Sequence, residues 1–287
     1  MKQDTLKDLL PAFIKNLENK DRSPSTILAY RADIEQLIDF LHDKNKVLAS
    51  QVLASDIENF RDSLLSKKYT PKSASRKLNA VKTFFRWLLR EKIITSDPSK
   101  NVAHPKIKPS VPKFLTPLQY RALRDIVRSD ERTAAIVETI LQTGIRISEV
   151  ANLKVENVKD DKLIIEEHAT QPKREIPLNK PAKQALKDYL KVRPETDSPY
   201  VFLSKNGKPL AVRNIRAAID RYMQKAGIPQ FSVNDLRTTF IIENLKAKVD
   251  LVMLSKIVGH KRLSTTERYL ELAGVDEPGN KQELTEL

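Results

Sequence analysis

Residues 97–117 read DPSKNVAHPKIKPSVPKFLTP, and this stretch divides the chain. It holds Pro98, Pro105, Pro109, Pro112 and Pro117, interleaved with Lys100, Lys106, Lys108 and Lys113. Proline fixes φ and removes a backbone donor, so the run predicts an extended connector. Its lysines suit a linker lying along phosphates, and equally a plain solvated linker. Working outward, we expect a helical domain over 1–96, a Pro/Lys-rich linker over 97–115, a mixed domain over 116–274 and a tail over 275–287.

The first part carries helical periodicity throughout. Leu6, Leu9, Leu10, Phe13 and Leu17 recur at helical spacing. Ser23-Pro24-Ser25-Thr26 caps a second helix, and two more run from Ala54 to Lys67 and from Pro71 to Lys92. In the last, Leu78, Val81, Phe85 and Leu88 form an apolar stripe, while Lys82, Arg86 and Arg90 share another face at i, i+4, i+8. Lys72, Arg76 and Lys77 stand at its start, and no acidic residue occurs from Lys67 to Arg90. Ordinary solvated faces mix signs, so these six cations are candidate DNA contacts.

The second part is mixed. Thr116-Pro117 starts a helix, and another runs from about Arg132 to Gln142 and stops at Gly144. Leu163–Ile165 and Glu175–Leu178 read as a β-hairpin, and Tyr200–Leu203 as a short strand before the turn Asn206-Gly207. Helices follow over Val212–Ala226, Val233–Ala247, Asp250–Val258 and Ser264–Ala273. The fold class is therefore mainly α with a small antiparallel β-sheet.

Composition narrows the chemistry. Among 287 residues there is no cysteine, which excludes disulfides, thiolate metal sites and a cysteine nucleophile. The four histidines, His42, His104, His168 and His260, include no metal-binding pair, so no metal is expected. There is no apolar run of membrane-spanning length and no apolar leader, so no membrane partner and a cytoplasmic site of action are expected. The net charge of +14 points to a polyanion. Residues 1–110 hold 21 Lys/Arg against 13 Asp/Glu and the remainder 30 against 24, so both parts would touch it.

Attack on a phosphodiester builds negative charge on the non-bridging oxygens, which planar, permanently charged guanidinium groups meet bidentately. A hydroxyl nucleophile conserves the bond energy for rejoining. A free tyrosine is only about 0.1% ionised at pH 7, so it needs a base or cationic neighbours. The chain offers, in order, Thr143-Gly144-Ile145-Arg146-Ile147-Ser148-Glu149, then Asn234-Asp235-Leu236-Arg237, then Val258-Gly259-His260, then Thr265-Thr266-Glu267-Arg268-Tyr269. Each alone has a bland reading: a surface ion pair, a helix end, a half-buried aromatic.

Together these boxes resemble the tyrosine recombinase (phage integrase) family, specifically its compact Xer-like members, over nearly the full length. The first matches the family's T-G-x-R-x-S-E, the second H-x-L-R with one change, the third L-G-H with the tyrosine nine residues on. Ser73–Leu78 and Asp97-Pro98-Ser99 fit the family's core-binding domain and its exit. The resemblance implies a clamp on double-stranded DNA, formed by a helical core-binding domain and an α+β catalytic domain. It implies Tyr269 as nucleophile, leaving a 3′-phosphotyrosine and a free 5′-hydroxyl. Arg146 and Arg237 would hold the phosphate, His260 would hydrogen-bond it, and Glu149 would support Arg146.

The resemblance further implies four protomers on paired sites, monomers without DNA, no cofactor, and a nucleoid-associated protein of bacterial, archaeal or phage origin. The tail after Gly274, with Glu283, Leu284 and Leu287 in a helix-like end, would dock on a neighbouring protomer. Two departures stand out. Asn234 replaces the histidine that serves the family as base, and asparagine takes up no proton near neutral pH. Ala169 falls where the family's leaving-group lysine is expected. Lys173, four residues on, is the nearest substitute or a plain solvated charge. The competing readings are a catalytically weakened relative acting as a DNA-binding, architectural protein, and a type IB topoisomerase-like enzyme without synapsis.

Overall fold

The structure is a computed structural model and describes residues 5–108, 111–167 and 171–287. His168 and Ala169 lie outside the described residues. The chain divides into two compact units, 1–110 and 111–287.

The first unit packs α1 (Leu6–Glu18), α2 (Pro24–His42), α3 (Ala54–Ser66) and α4 (Pro71–Arg90) around one core. Side-chain oxygens of Thr5, Ser23 and Thr70 accept from backbone amides at three of the four starts, and Pro24 and Pro71 occupy first-turn positions that need no donor. Phe13 is the hub. Its ring meets Phe84 edge-on at 5.1 Å between centroids and lies 5.5 Å from Trp87.

Residues 97–104 are not free linker. Asp97 Oδ1 accepts from the amide and hydroxyl of Ser99 (2.8 and 2.6 Å), and Val102 is buried in the helical core. Arg61 donates to the Ala103 carbonyl (3.0 Å), Lys82 to that of Lys100 (3.3 Å), and Ser75 bonds His104 Nδ1 (3.0 Å). Proline content marked this segment as extended; one apolar anchor and an Asx turn fasten it to the unit.

The second unit contains α5 (Pro117–Val127), α6 (Glu131–Thr143), α7 (Ile147–Asn152), the hairpin β1 (Lys162–Ile165) and β2 (Arg174–Pro177), and α8 (Lys180–Val192). It continues with α9 (Val212–Lys225), α10 (Val233–Lys246), α11 (Leu251–Val258), α12 (Ser264–Glu267) and α13 (Leu270–Ala273). The hairpin is antiparallel with Leu163 opposite Ile176. Helix α8 was not anticipated, although Asn179 caps it and Ala182, Leu186 and Tyr189 give it a buried stripe.

Tyr200–Leu203 is not a strand. Val201, Phe202 and Leu203 are fully buried, but only Tyr200 and Leu203 make single bridges. The Arg193 guanidinium donates to the carbonyls of Ser198 and Tyr200 (2.6 and 2.8 Å), satisfying backbone that a sheet neighbour would otherwise serve. The helix expected over 264–273 is two short pieces, and Tyr269 sits between them.

The tail forms no helix and packs on its own unit. Val249 and Asp250 form parallel bridges with Lys281 and Gly279. The amide of Thr285 donates to Asn244 Oδ1 (2.9 Å) and that of Leu287 to Gln142 Oε1 (3.2 Å). Arg124 and Gln142 both donate to the Leu287 carbonyl oxygen (2.8 Å each), while Leu284 and Leu287 pack on the core. Two apolar side chains and two buried amides find partners here, and an exposed acidic helix would satisfy neither. A chain ending at Gly279 should therefore unfold several degrees lower, since an orphaned buried polar group costs about 1–3 kcal/mol. Thermal unfolding of the truncated and full chains checks this.

Candidate active site

Two helix ends build the site. Gly144 closes α6 at φ +62°, and the chain turns so that Arg146 caps α7 in extended conformation. A Cβ at Gly144 would overlap the Phe240 ring, so the turn needs glycine twice over. Gly259 closes α11 at φ +70°, and a Cβ there would lie 3.1 Å from both Arg146 Nη1 and Arg174 Cζ. The guanidinium groups press directly on this backbone.

Arg146 donates through Nη2 to the Gly259 carbonyl (2.6 Å) and through Nη1 to Glu149 Oε1 (3.1 Å). Its backbone amide donates to Glu149 Oε2 (2.8 Å). Arg237, on α10, donates to the carbonyls of Gly144 and Val258, the latter at 2.7 Å. His260 follows Gly259; its Nδ1 lies 2.8 Å from the Thr266 hydroxyl, and its ring stacks on that of Tyr269 at 6.3 Å and 8°. The structure thus brings together Arg146, Arg237, His260, Glu149 and Tyr269.

It also brings in Arg174, which the sequence reading missed. Arg174 grips Glu149 with two bonds (2.9 and 2.8 Å) and donates through Nε to the Ile257 carbonyl (2.7 Å). A signal existed. Arg174 stands two residues before buried Ile176 on β2, on the inward face of the strand. An arginine on an apolar strand face needs a carboxylate partner.

Two guanidinium groups, those of Arg146 and Arg174, therefore share one carboxylate, and Arg237 feels its charge without bonding it. Burial pushes the Glu149 carboxyl up, but bonds from Arg174 and the Arg146 amide, with both positive charges, outweigh it and hold it below its usual value. Burial, then the Arg146 charge, pushes Arg237 down to about 9, so it stays protonated at neutral pH. Burial, then the charges of Arg237, Arg146 and Arg174, pushes His260 down to about 4, so its ring is neutral at pH 7. The site therefore carries surplus positive charge, an arrangement that favours an anion.

Lys173 and Asn234 stand apart from this set. Lys173 is exposed and pairs with Glu166 at 3.5 Å, although it lines the same cleft of about 720 Å³ as His260 and Lys261. Asn234 lies exposed on the first turn of α10. Among the described residues no His/Cys/Asp/Glu group could hold a metal ion.

On α4, Lys72, Arg76, Arg86 and Arg90 are exposed. Lys77 is corrected: it is buried, and its ammonium donates to Asp33 (2.8 Å), which Arg76 also binds, so Lys77 serves the core rather than a ligand. Lys82 is half-buried on the Lys100 carbonyl, and Arg90 reaches Asn16 (2.9 Å).

A two-arginine pocket with a stacked histidine–tyrosine pair, in a chain that also carries a helical unit with a basic helix, defines a DNA strand-transfer enzyme of the tyrosine class. Comparison with known proteins agrees. Residues 113–274 match the model of the phage integrase family, and residues 10–92 that of the phage integrase N-terminal SAM-like domain. The chain belongs to the phage integrase family, the tyrosine recombinases, and is an enzyme of site-specific recombination.

It is 28% identical over 281 residues to tyrosine recombinase XerC of Roseiflexus castenholzii, covering 93% of this chain and 90% of that one. It is 29% identical over 276 residues to XerC of Anoxybacillus flavithermus, covering 91% of each. The crystal structure of XerA recombinase matches at 26% identity and TM-score 0.54, covering 92% and 93%. A lambda integrase dimer bound to a core site matches in fold at 17% identity and TM-score 0.78, covering 98% and 81%. Among the described residues no helix is long and apolar enough to cross a membrane.

One pH dependence follows. Between pH 6.5 and about 4 the unfolded chain protonates His260 and the folded chain does not. The unfolded state then binds more protons, so this group makes stability rise with pH across that window. Urea unfolding at pH 5 and pH 7 should show wild type losing more stability on acidification than His260→Gln.

Proposed function

We propose that Tyr269 attacks a phosphodiester of double-stranded DNA. The Oη–P bond forms as the P–O5′ bond breaks, leaving a 3′-phosphotyrosine and a 5′-hydroxyl. One ester is exchanged for another, so the step reverses without an external energy source. Arg146 and Arg237 take the non-bridging oxygens, and His260 adds a neutral hydrogen bond. Glu149 and Arg174 hold Arg146 in place. The observation that carries this reading is the surplus charge: the pocket arranges three guanidinium groups around one carboxylate, beside a tyrosine stacked on a histidine.

Proton handling falls to the rim. The Tyr269 phenol proton passes to solvent water at the rim. Lys173, which lines the cleft, is the candidate donor to the leaving 5′-oxygen, and Asn234 can only orient by hydrogen bonding. The helical unit of residues 1–96 and the catalytic region of 116–274 both contact the duplex, the former through Lys72, Arg76, Arg86 and Arg90, backed by Lys82. Strand exchange between two sites needs four active tyrosines, so the working form is a homotetramer assembled on DNA from monomers. Such a substrate places the enzyme at the nucleoid, in the cytoplasm. Support for assembly comes from the fold likeness to a lambda integrase tetramer bound to a Holliday junction (18% identity, TM-score 0.76).

A nicked suicide substrate bearing the cognate site tests the chemistry. Wild type should give a covalent protein–DNA band and Tyr269→Phe none. Arg146→Ala should bind within severalfold of wild type yet cleave at least about a hundredfold more slowly. A near-normal rate in that variant would sink the assignment. Separately, Arg86→Ala should weaken DNA binding and lower the slope of log affinity against log salt by about one. An unchanged slope places that helix off the DNA.

A further inference from the structure

The Thr266 hydroxyl is fully buried, lies 2.8 Å from His260 Nδ1, and has no other hydrogen-bond partner among the described residues. The carbonyl of the same residue accepts from the amide of Tyr269 (3.0 Å). One side chain and its backbone thus touch both the histidine and the segment bearing the nucleophile.

We propose that Thr266 is a positioning residue whose hydroxyl donates to Nδ1 of His260, fixing the ring as the Nε2–H tautomer that faces the scissile phosphate. The proposal rests on the strand-transfer reading and deepens it. A neutral imidazole has one N–H, and its partner decides where that proton sits. Were Nδ1 protonated, it would donate to Thr266, and the buried hydroxyl hydrogen would have no acceptor. Its unpaired burial biases the tautomer by roughly ten- to a hundredfold. Nε2 would then also point a lone pair at anionic phosphate oxygens. With the hydroxyl donating, every polar atom of the pair is used and Nε2–H becomes a donor to the substrate.

The same contact explains why neutrality suits this histidine. Arg146, Arg237 and Arg174 already supply charge; His260 supplies a directed neutral donor beside the tyrosine ring. Thr266 holds that direction without adding charge of its own.

Long-range ¹H–¹⁵N correlation of the histidine rings in the full-length protein at pH 7 reads the tautomer directly. Wild type should show His260 with Nε2 protonated and Nδ1 bare. Thr266→Ser should keep that pattern, and Thr266→Val should give a mixture of tautomers. On the suicide substrate, Thr266→Val should cleave roughly tenfold more slowly in a single turnover with DNA affinity within about twofold, and Thr266→Ser should restore the rate. A wild-type ring protonated at Nδ1 overturns the proposal, even if the valine variant fails to fold. So does a valine variant with an unshifted ring and full rate. A wild-type ring protonated at Nε2 in a protein that forms no covalent band would uphold the tautomer assignment and sink the strand-transfer reading instead.

Discussion

The carboxylate of Glu149 holds the catalytic unit's working parts in one frame. Its two oxygens accept from the Arg146 amide, the Arg146 guanidinium and both terminal nitrogens of Arg174. Arg174 in turn bonds the Ile257 carbonyl at the end of α11. Three segments distant in sequence are thereby tied together: the α6–α7 turn, the β-hairpin and the α11–α12 loop. A buried carboxylate this well served stays ionised, and a buried guanidinium pair without it would repel itself apart.

Carbonyl oxygens do the rest of the holding, and the choice has a consequence. Arg237 is fixed by the carbonyls of Gly144 and Val258, and the outer nitrogen of Arg146 by that of Gly259. A carbonyl dipole orients a guanidinium without cancelling its charge, whereas a second carboxylate would have neutralised the pocket. The glycines belong to the same design. Positive φ at Gly144 and Gly259 turns those carbonyls toward the arginines, and the missing Cβ at 259 leaves the guanidinium groups room. Surplus charge and fixed geometry coexist because the holders are neutral.

Much of this was legible in the sequence, and the misses share a cause. Local signals read well: the caps at Ser23 and Thr116, the glycine stop at Gly144, the two hairpin strands, and the boxes holding Arg146, Arg237, His260 and Tyr269. What failed depended on partners far along the chain. Lys77 looked like a DNA contact because no acid lies near it in sequence; its acid is Asp33, 44 residues earlier on α2. Tyr200–Leu203 looked like a strand because it is apolar, but an arginine side chain satisfies its backbone. Arg174 alone was readable locally, from strand alternation.

Asn234, and Lys173 four residues from the second departure, lie where the structure is most forgiving. Asn234 and Lys173 are both exposed, at the edge of the site, whereas Arg146, Arg237, Glu149, Arg174 and His260 interlock inside it. Charge stabilisation needs preorganised, desolvated groups, because water would screen them and their reorganisation would cost rate. Proton transfer at the rim is less demanding, since solvent and flexible neighbours can reach the same atoms. Replacing the base-type histidine by asparagine therefore removes a proton acceptor without disturbing the interlocked set. Lys173, paired with Glu166 at the rim, likewise stands outside the interlocked set, which holds its geometry without it.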